Sequence, residues 1–281
     1  MNPFAQAALV ARKIALRAGI GAGTWSGNAT YVDQAPGAQQ TVDVFKGDWA
    51  SRLPLPGVTS GSVDLFDDAR IHWLLNELGD ISRFDVLELG PLEGGHSWML
   101  EQAGAASVRA VEGNKTAYLK CLVVQQLLSM ERTRFELGDF DALLRSTDRH
   151  YDLLLASGIL YHLADPLRTL LDMTRVSDRI FIWSHFADAD AMPPGDKRRR
   201  PMTGEVRHGE HDGERLTYHV RSYLGTHRLS NFCGGRESAA VWMESAEVIA
   251  LLERRGFRVT RGPADPGHHA GPALCLLATR R

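Results

Sequence analysis

The stretch Phe84–Ser97, FDVLELGPLEGGHS, decides the fold of this chain. Its first part, Asp85–Leu89, is a short apolar run that Gly90 ends, and an amphipathic segment begins near His96. A buried strand, a glycine turn and a helix in this order are typical of the unit that opens the nucleotide pocket of a Rossmann-like sheet. The stretch therefore predicts a ligand at the carboxyl end of the first strand.

Strand and helix patterns alternate through the rest of the chain. We predict strands at 84–89, 107–112, 133–137, 151–156, 179–184, 257–262 and 272–280, and helices at 67–78, 96–104, 114–129, 140–146, 166–176 and 245–255. Strands separated by segments of helix length form parallel βαβ units, and the last two strands form an antiparallel pair. The predicted fold class is α/β: a Rossmann-like, mostly parallel sheet of seven strands with helices on both faces and a reversed last strand.

The domain organisation follows from the stretches that lack this alternation. Residues 1–60 are expected to form an N-terminal helix followed by an extended arm, and residues 61–281 the Rossmann-like domain. Between about 185 and 243 the pattern lapses. A long stretch beside the carboxyl ends of the strands is expected to be an insert that faces the substrate.

Composition excludes several classes of protein. The net charge of −2 argues against a protein dominated by binding to nucleic-acid backbones, although the basic run Lys197–Arg200 leaves a local phosphate site open. The three cysteines are far apart and form neither a disulfide framework nor a metal clip, which favours a reducing cytoplasm. No stretch approaches the roughly 20 apolar residues that span a bilayer.

The glycine turn and the second strand indicate the cofactor. Glu112 ends that strand 22 residues after Gly90, the distance at which an acid receives a ribose in Rossmann folds. NAD and S-adenosylmethionine both carry this ribose. Leu92, however, stands where a dinucleotide motif has its second glycine, and Glu93 adds a negative charge. Both features disfavour a pyrophosphate, so the turn favours S-adenosylmethionine.

The segment Gly138-Asp139-Phe140 follows the third strand and gives a second indication. The carboxylate of Asp139 can accept a hydrogen bond from the adenine amino group, with Phe140 against the ring. Asp139 is equally suited to cap the next helix, and both roles can hold at once.

Over roughly residues 60–281 the sequence resembles the class I S-adenosylmethionine-dependent methyltransferases. Val86–Gly90 matches the family's first motif, Glu112 its ribose acid and Asp139-Phe140 its adenine contact, whereas Leu92 replaces a usual glycine. We expect the cofactor to be held by Glu88, Gly90, Pro91, Gly94, Glu112, Gly113, Asp139, Phe140, Ser157 and Gly158.

The stretch Ala156–Pro166, ASGILYHLADP, is similar to the branch that contains the tRNA wobble-uridine carboxymethyltransferase. This similarity implies an RNA-modifying methyl or carboxymethyl transferase as an alternative function. The turn Gly90–His96 differs from that branch, so we carry over the fold and the cofactor class but not the tRNA substrate.

Three side chains after the fourth and fifth strands are candidates for catalysis. Methyl transfer from a sulfonium is an in-line displacement, and a base assists when the acceptor is a hydroxyl. Tyr161 and His162 follow the fourth strand, and His162 is predicted to be the base because its ordinary pKa is about 6.5. The competing interpretation is a histidine that bonds to nearby backbone. His185 is a second acid, base or substrate contact, and no metal is predicted.

The favoured function is methyl transfer from S-adenosylmethionine to oxygen of a small-molecule or sugar acceptor, with a histidine as general base. The alternatives are the RNA-modifying transferase, a cofactor-binding protein without activity, and a nicotinamide-dependent dehydrogenase.

Overall fold

The computed structural model of the chain describes residues 31–225, 234–235 and 237–281. The chain divides into two compact units, Met1–Val44 and Phe45–Arg281. The first unit contains the short helix α1 (Ala38–Val42), after which a 3-10 turn covers Asp43–Phe45. The predicted helix at the N-terminus lies outside the described residues. Residues 45–60, which we assigned to the N-terminal arm, belong to the larger unit.

The larger unit alternates strands and helices, as predicted. Its helices are α2 (Ala69–Leu78), α3 (Gly95–Gln102), α4 (Lys115–Leu127), α5 (Phe140–Ser146), α6 (Pro166–Val176) and α7 (Ser245–Arg254). Its strands are β1 (Asp85–Leu89), β2 (Ser107–Glu112), β3 (Thr133–Leu137), β4 (Leu153–Ser157), β5 (Arg179–His185), β6 (Met202–His211), β7 (Glu214–Ser222), β8 (Ala239–Trp242), β9 (Phe257–Asp265) and β10 (Ala273–Arg280).

The main sheet has seven strands in the order β3-β2-β1-β4-β5-β10-β9. The first five strands along the chain pair in parallel, whereas β10 runs antiparallel to both β5 and β9. The predicted fold, a mostly parallel sheet with a reversed last strand, is confirmed. Because parallel strands end at one edge of a sheet, the turns after β1, β2, β3 and β4 meet there.

Apolar layers cover both faces of this sheet. Along β1, Val86 belongs to one cluster of buried side chains and Leu87 to the other, because successive residues of a strand point to opposite faces. Leu170 of α6 packs in the layer of Leu87, and Leu100 of α3 packs in the layer of Val86. The strands are buried on both sides, which explains their nearly continuous apolar runs.

A second sheet lies within the stretch that we predicted to be an insert facing the substrate. It has three strands in the order β6-β7-β8. Asp212 and Gly213 join β6 to β7, and their φ angles of 50° and 77° fit a two-residue hairpin turn. Leu216 and Tyr218, on one face of β7, are buried in the apolar layer of Leu87. The described part of the insert therefore contains a three-stranded sheet that packs on the main apolar layer.

No helix within the described ranges is long and apolar enough to cross a lipid bilayer.

Candidate functional site

The turns at the carboxyl edge of the sheet surround a cavity of about 1270 Å³. Each of the first four strands contributes a segment to its wall. The predicted cofactor residues in this wall are Gly90, Pro91, Glu112, Gly113, Asp139, Phe140, Ser157 and Gly158. Tyr161 and His162 line the same cavity, so the structure brings the predicted cofactor contacts and two of the predicted catalytic residues together.

The glycines of the first turn are required by close packing. Gly90 has a φ of 68°, and a Cβ on it would lie 2.8 Å from the Ile159 Cγ2 atom. A Cβ on Gly95 would lie 2.6 Å from the Leu65 carbonyl oxygen, so the backbone of Leu65 approaches the start of α3 closely. Gly94 caps α3 and packs on Phe135, and it does not line the cavity. Only glycine meets these steric and backbone demands.

The acid of this turn does not point into the cavity. Glu93 is 1% exposed, and its Oε1 atom lies 2.9 Å from the Lys120 Nζ atom. The same carboxylate accepts hydrogen bonds from the backbone amides of Ala50 and Ser51, at 3.0 and 2.7 Å. The prediction that Glu93 repels phosphates is therefore wrong, because a lysine and two amides below the turn hold its charge.

Leu92 lines the cavity in a left-handed conformation, with a φ of 56°. Its backbone amide donates a hydrogen bond to the Glu112 Oε2 atom at 3.0 Å. In a dinucleotide fold, the amides of this turn and the next helix face the pyrophosphate. Here the Leu92 amide donates to Glu112 within the protein, which is a separate reason against a dinucleotide.

Glu112 is held by two backbone amides at the end of β2. Besides the bond from Leu92, its Oε1 atom accepts from the Asn114 amide at 2.7 Å. The side chain is 8% exposed, and this burial raises the pKa of Glu112 above its ordinary value. Each carboxylate oxygen has a further lone pair, so the fixed carboxylate can accept hydrogen bonds from two neighbouring hydroxyls of a ribose.

The ends of β3 and β4 add polar groups to the same half of the cavity. Asp139 caps α5 by accepting a hydrogen bond from the Asp141 amide at 2.9 Å, and it lines the cavity beside Phe140. Its contact with adenine stays a prediction. The Ser157 Oγ atom is buried and makes no hydrogen bond within the described part of the chain. A buried hydroxyl in a cavity wall is a natural partner for a polar ligand.

Glu88, predicted as a cofactor contact, lies below the turn and outside the cavity wall. It is buried, the Ser97 hydroxyl donates to its carboxylate, and burial raises its pKa. The His96 Nδ1 atom lies 4.0 Å from Glu88, and its Nε2 atom lies 2.9 Å from Asp68 Oδ2. Glu88 therefore holds α3 against β1, whereas His96 lines the cavity.

His162 lies in the 3-10 helix Leu160–His162 that follows β4. Its Nδ1 atom is 3.0 Å from the Tyr223 hydroxyl, a side-chain contact and not the backbone bond of our competing interpretation. Burial, followed by the charge of Arg221 and by His185, lowers the pKa of His162 to about 3. The imidazole is consequently neutral near pH 7. Tyr161 packs beside it, with ring centroids 4.2 Å apart.

His185 does not line the cavity, although we predicted that it would. It is 3% exposed, stacks on Trp242 with ring centroids 5.2 Å apart, and donates from Nδ1 to the Gly271 carbonyl at 2.8 Å. Burial, followed by His268, lowers the pKa of His185 to about 4. The reason for its burial is β10, which pairs antiparallel with β5 as far as His185, so that the preceding loop covers the end of β5.

Arg70 and His268 are among the wall residues that the sequence analysis did not single out. The Arg70 guanidinium lies 4.1 Å from the centroid of the Trp183 ring and bonds to Asp68. Burial alone raises the pKa of Asp68, but hydrogen bonds from His96 and Arg70 outweigh it and hold this pKa well below its usual range. His268 comes from the loop before β10. Because β10 is antiparallel to β5, it starts at the edge where the parallel strands end. The loop before β10 must therefore reach that edge, and this is the sequence signal that could have indicated His268.

Two polar segments of the insert make hydrogen bonds within the protein. Asp188, which follows β5, accepts hydrogen bonds from the amides of Asp190 and Ala191 at 3.0 and 2.9 Å. Arg198 donates hydrogen bonds to Asp196 and to the Pro266 carbonyl. This residue of the basic run therefore links the insert to the loop between β9 and β10. Among the described residues, no group of three His, Cys, Asp or Glu side chains is arranged to hold a metal ion.

Neither a protein-family model nor a curated protein matches this sequence. The N-terminal domain of EvdMO1 with SAH bound is similar in structure, with 20% identity, a TM-score of 0.60, and 86% of this chain and 95% of that chain covered. Magnesium protoporphyrin IX methyltransferase (ChlM) from Synechocystis PCC 6803 with bound SAH is 15% identical, with a TM-score of 0.53 over 91% and 92% of the two chains. YcgJ from Bacillus subtilis is 12% identical, with a TM-score of 0.53 over 75% and 98%. At these identities the similarity establishes the fold alone, and this chain has the Rossmann-like fold of these structures.

Proposed function

We propose that this chain is an S-adenosylmethionine-dependent methyltransferase that acts on oxygen of a small-molecule or sugar acceptor, with His162 as the general base. One observation carries the proposal: a single cavity joins the amide-held Glu112 to Tyr161 and His162. Its volume of about 1270 Å³ exceeds the range of roughly 300–1,000 Å³ that is usual for one ligand. The cavity therefore has room for a cofactor and an acceptor together.

The half of the cavity around β1 to β4 fits an adenosine that carries an amino acid. Glu112 offers lone pairs for the ribose, Asp139 and Phe140 offer a carboxylate and a ring for adenine, and the Ser157 hydroxyl lacks a partner. The engaged amide of Leu92 and the backbone of Leu65 at the start of α3 leave little place for phosphates. The SAH bound by EvdMO1 and by ChlM supports the same cofactor.

The other half presents the groups that act on the acceptor. When bound, S-adenosylmethionine supplies an electrophilic methyl group. Neutral His162 would take the proton that the acceptor hydroxyl loses as its oxygen bonds to the methyl carbon, while the methyl–sulfur bond breaks and SAH is the leaving group. A base of low pKa suffices for this step, because a hydroxyl becomes strongly acidic as its oxygen is alkylated. Transfer assisted in this way accelerates a reaction by roughly 10²–10⁴.

Tyr161 and Trp183 line the cavity with rings that meet edge to face, 5.8 Å apart by ring centroids, and an aromatic wall of this kind favours a cyclic acceptor. The EvdMO1 domain, whose structure was also determined in the presence of SAH and D-fucose, supports a sugar. The RNA alternative gains no such support, because Arg198 and Arg199 of the basic run bond to backbone carbonyls of the chain.

Isothermal titration calorimetry with S-adenosylmethionine, SAH and NAD tests the proposal. We expect S-adenosylmethionine and SAH to bind the wild type and to bind Glu112→Gln at least tenfold more weakly, since hydrogen bonds to a charged group are lost. Glu77→Gln, on the exposed side of α2, is the matched control and leaves affinity unchanged. Absence of binding at millimolar S-adenosylmethionine, or tighter binding of NAD, would overturn the proposal.

A further inference from the structure

Tyr223 follows β7 in the second sheet, and its hydroxyl reaches His162 beside the main sheet. We propose that Tyr223 is a positioning residue that keeps the proton of neutral His162 on Nδ1 and leaves Nε2 unprotonated. This is the tautomer that a general base at Nε2 requires. The inference deepens the proposed function and depends on the role given there to His162.

Three contacts of the Tyr223 hydroxyl with described residues bear on the choice between the two tautomers. Its hydroxyl oxygen lies 3.0 Å from His162 Nδ1, 3.2 Å from the Gly235 amide nitrogen and 3.4 Å from the His162 carbonyl oxygen. The amide of Gly235 can only donate, and the His162 carbonyl can only accept. A phenol has one proton to donate and can accept two hydrogen bonds.

A proton on Nδ1 satisfies all three contacts. In that case His162 Nδ1 and Gly235 both donate to the phenol oxygen, and the phenol donates to the His162 carbonyl. With the proton on Nε2, the phenol must donate to Nδ1 instead, and the His162 carbonyl loses its donor. Because an unmade hydrogen bond at a buried group is unfavourable, the contacts favour Nδ1–H.

The surroundings hold both rings in place and favour neutral imidazole. Tyr223 is 5% exposed and stacks on His162, with ring centroids 6.1 Å apart and an interplanar angle of 27°. The Arg221 guanidinium lies 5.5 Å from the Tyr223 ring centroid and 5.6 Å from that of Trp242. Arg221 forms no ion pair with a carboxylate in the described residues, so its positive charge disfavours a second proton on His162. Within those same residues, Nε2 makes no hydrogen bond.

Nuclear magnetic resonance of the full chain with ¹⁵N-labelled histidine tests the tautomer at pH 7.5. We expect His162, assigned by its loss in His162→Gln, to show a protonated Nδ1 in the wild type and a mixture in Tyr223→Phe. Tyr118→Phe, on α4, removes a hydroxyl elsewhere and should leave the signal unchanged. Protonated Nε2 in the wild type would overturn the inference, whether or not the Tyr223 variant folds.

The kinetic test separates this inference from the proposed function. In Tyr223→Phe we expect kcat to fall about tenfold or more while the Kd for S-adenosylmethionine stays the same, and Tyr118→Phe should alter neither. An unchanged kcat together with an unchanged tautomer would contradict the positioning role. If the wild type fails to bind S-adenosylmethionine, the proposed function fails, and the tautomer measurement still tests the geometry.

Discussion

Glu93 and Lys120 form an ion pair of 2.9 Å beneath the glycine turn, with side chains only 1% and 9% exposed. Lys120 belongs to α4 and also donates to the Asp48 carbonyl, while Glu93 accepts from the amides of Ala50 and Ser51. The pair thus joins three separate parts of the unit at one point. The pair fixes the turn next to Leu92. The backbone amide of Leu92 in turn holds Glu112 in the cavity wall.

Lys120→Met should lower the free energy of unfolding by about 3–5 kcal/mol, because it leaves the Glu93 carboxylate buried without its cation. Urea unfolding followed by circular dichroism measures this loss. Glu93→Gln added to Lys120→Met should recover part of the stability, since the unpaired charge is then gone. A loss below about 1 kcal/mol for the single variant would show that the pair is weakly coupled.

Gly90→Ala should destabilise the protein and weaken cofactor binding. The added methyl group meets Ile159, and a φ of 68° costs a residue other than glycine roughly 1–2 kcal/mol. Gly138→Ala is the control in the same cavity wall, because a Cβ there meets no atom within 4 Å. Thermal unfolding and calorimetry with S-adenosylmethionine should therefore separate the two variants, and equal behaviour would contradict the packing argument.

Stability should fall as the pH drops from about 6.5 to 5. The unfolded chain binds protons on His162 and His185 near their ordinary pKa of about 6.5, whereas the folded chain holds these pKa values at about 3 and about 4. Unfolding therefore takes up protons in this window, and each histidine contributes up to about 1.4 kcal/mol per pH unit. Urea unfolding at several pH values should show a smaller slope for His162→Gln than for the exposed control His72→Gln.

His162→Gln should lower kcat by a factor of roughly 10²–10⁴ without weakening the binding of S-adenosylmethionine, since a base acts in the transition state and not on the bound cofactor. His185→Gln should affect kcat much less and stability more, because His185 is buried and bonds to the Gly271 carbonyl. Initial rates with a methyl acceptor, together with calorimetry, separate the two residues. The opposite order of the two kcat values would assign the base to His185.

The main sheet was predictable because its local patterns agree with its packing. The run Leu153–Ala156 is apolar throughout, as a strand covered on both faces requires, and Asn114 and Asp139 mark helix starts as caps. The second sheet was missed, although β7 alternates buried Leu216, Tyr218 and Val220, and Asp212-Gly213 is a hairpin signal. The many charges and histidines around these residues obscured an alternation that was present.

The candidate site was predictable wherever a residue's place follows from a strand end. Glu112 and Ser157 end their strands and line the cavity. The direction of a side chain depends on partners far along the chain, which sequence patterns do not reveal. Glu93 points away from the cavity because it pairs with Lys120. His185 is buried because the loop before β10 covers it. Tyr223 reaches His162 only through a sheet that was not predicted.

The reversed direction of β10 also decides how the protein is best attached to a support. Ala273 lies beside His185 at the cavity edge, whereas Thr279 lies beside Arg179 at the opposite edge of the sheet. A tether fixed to Arg281 is therefore attached at the edge of the sheet that lies opposite the cavity. The edge of the sheet that carries the cavity then lies away from the support.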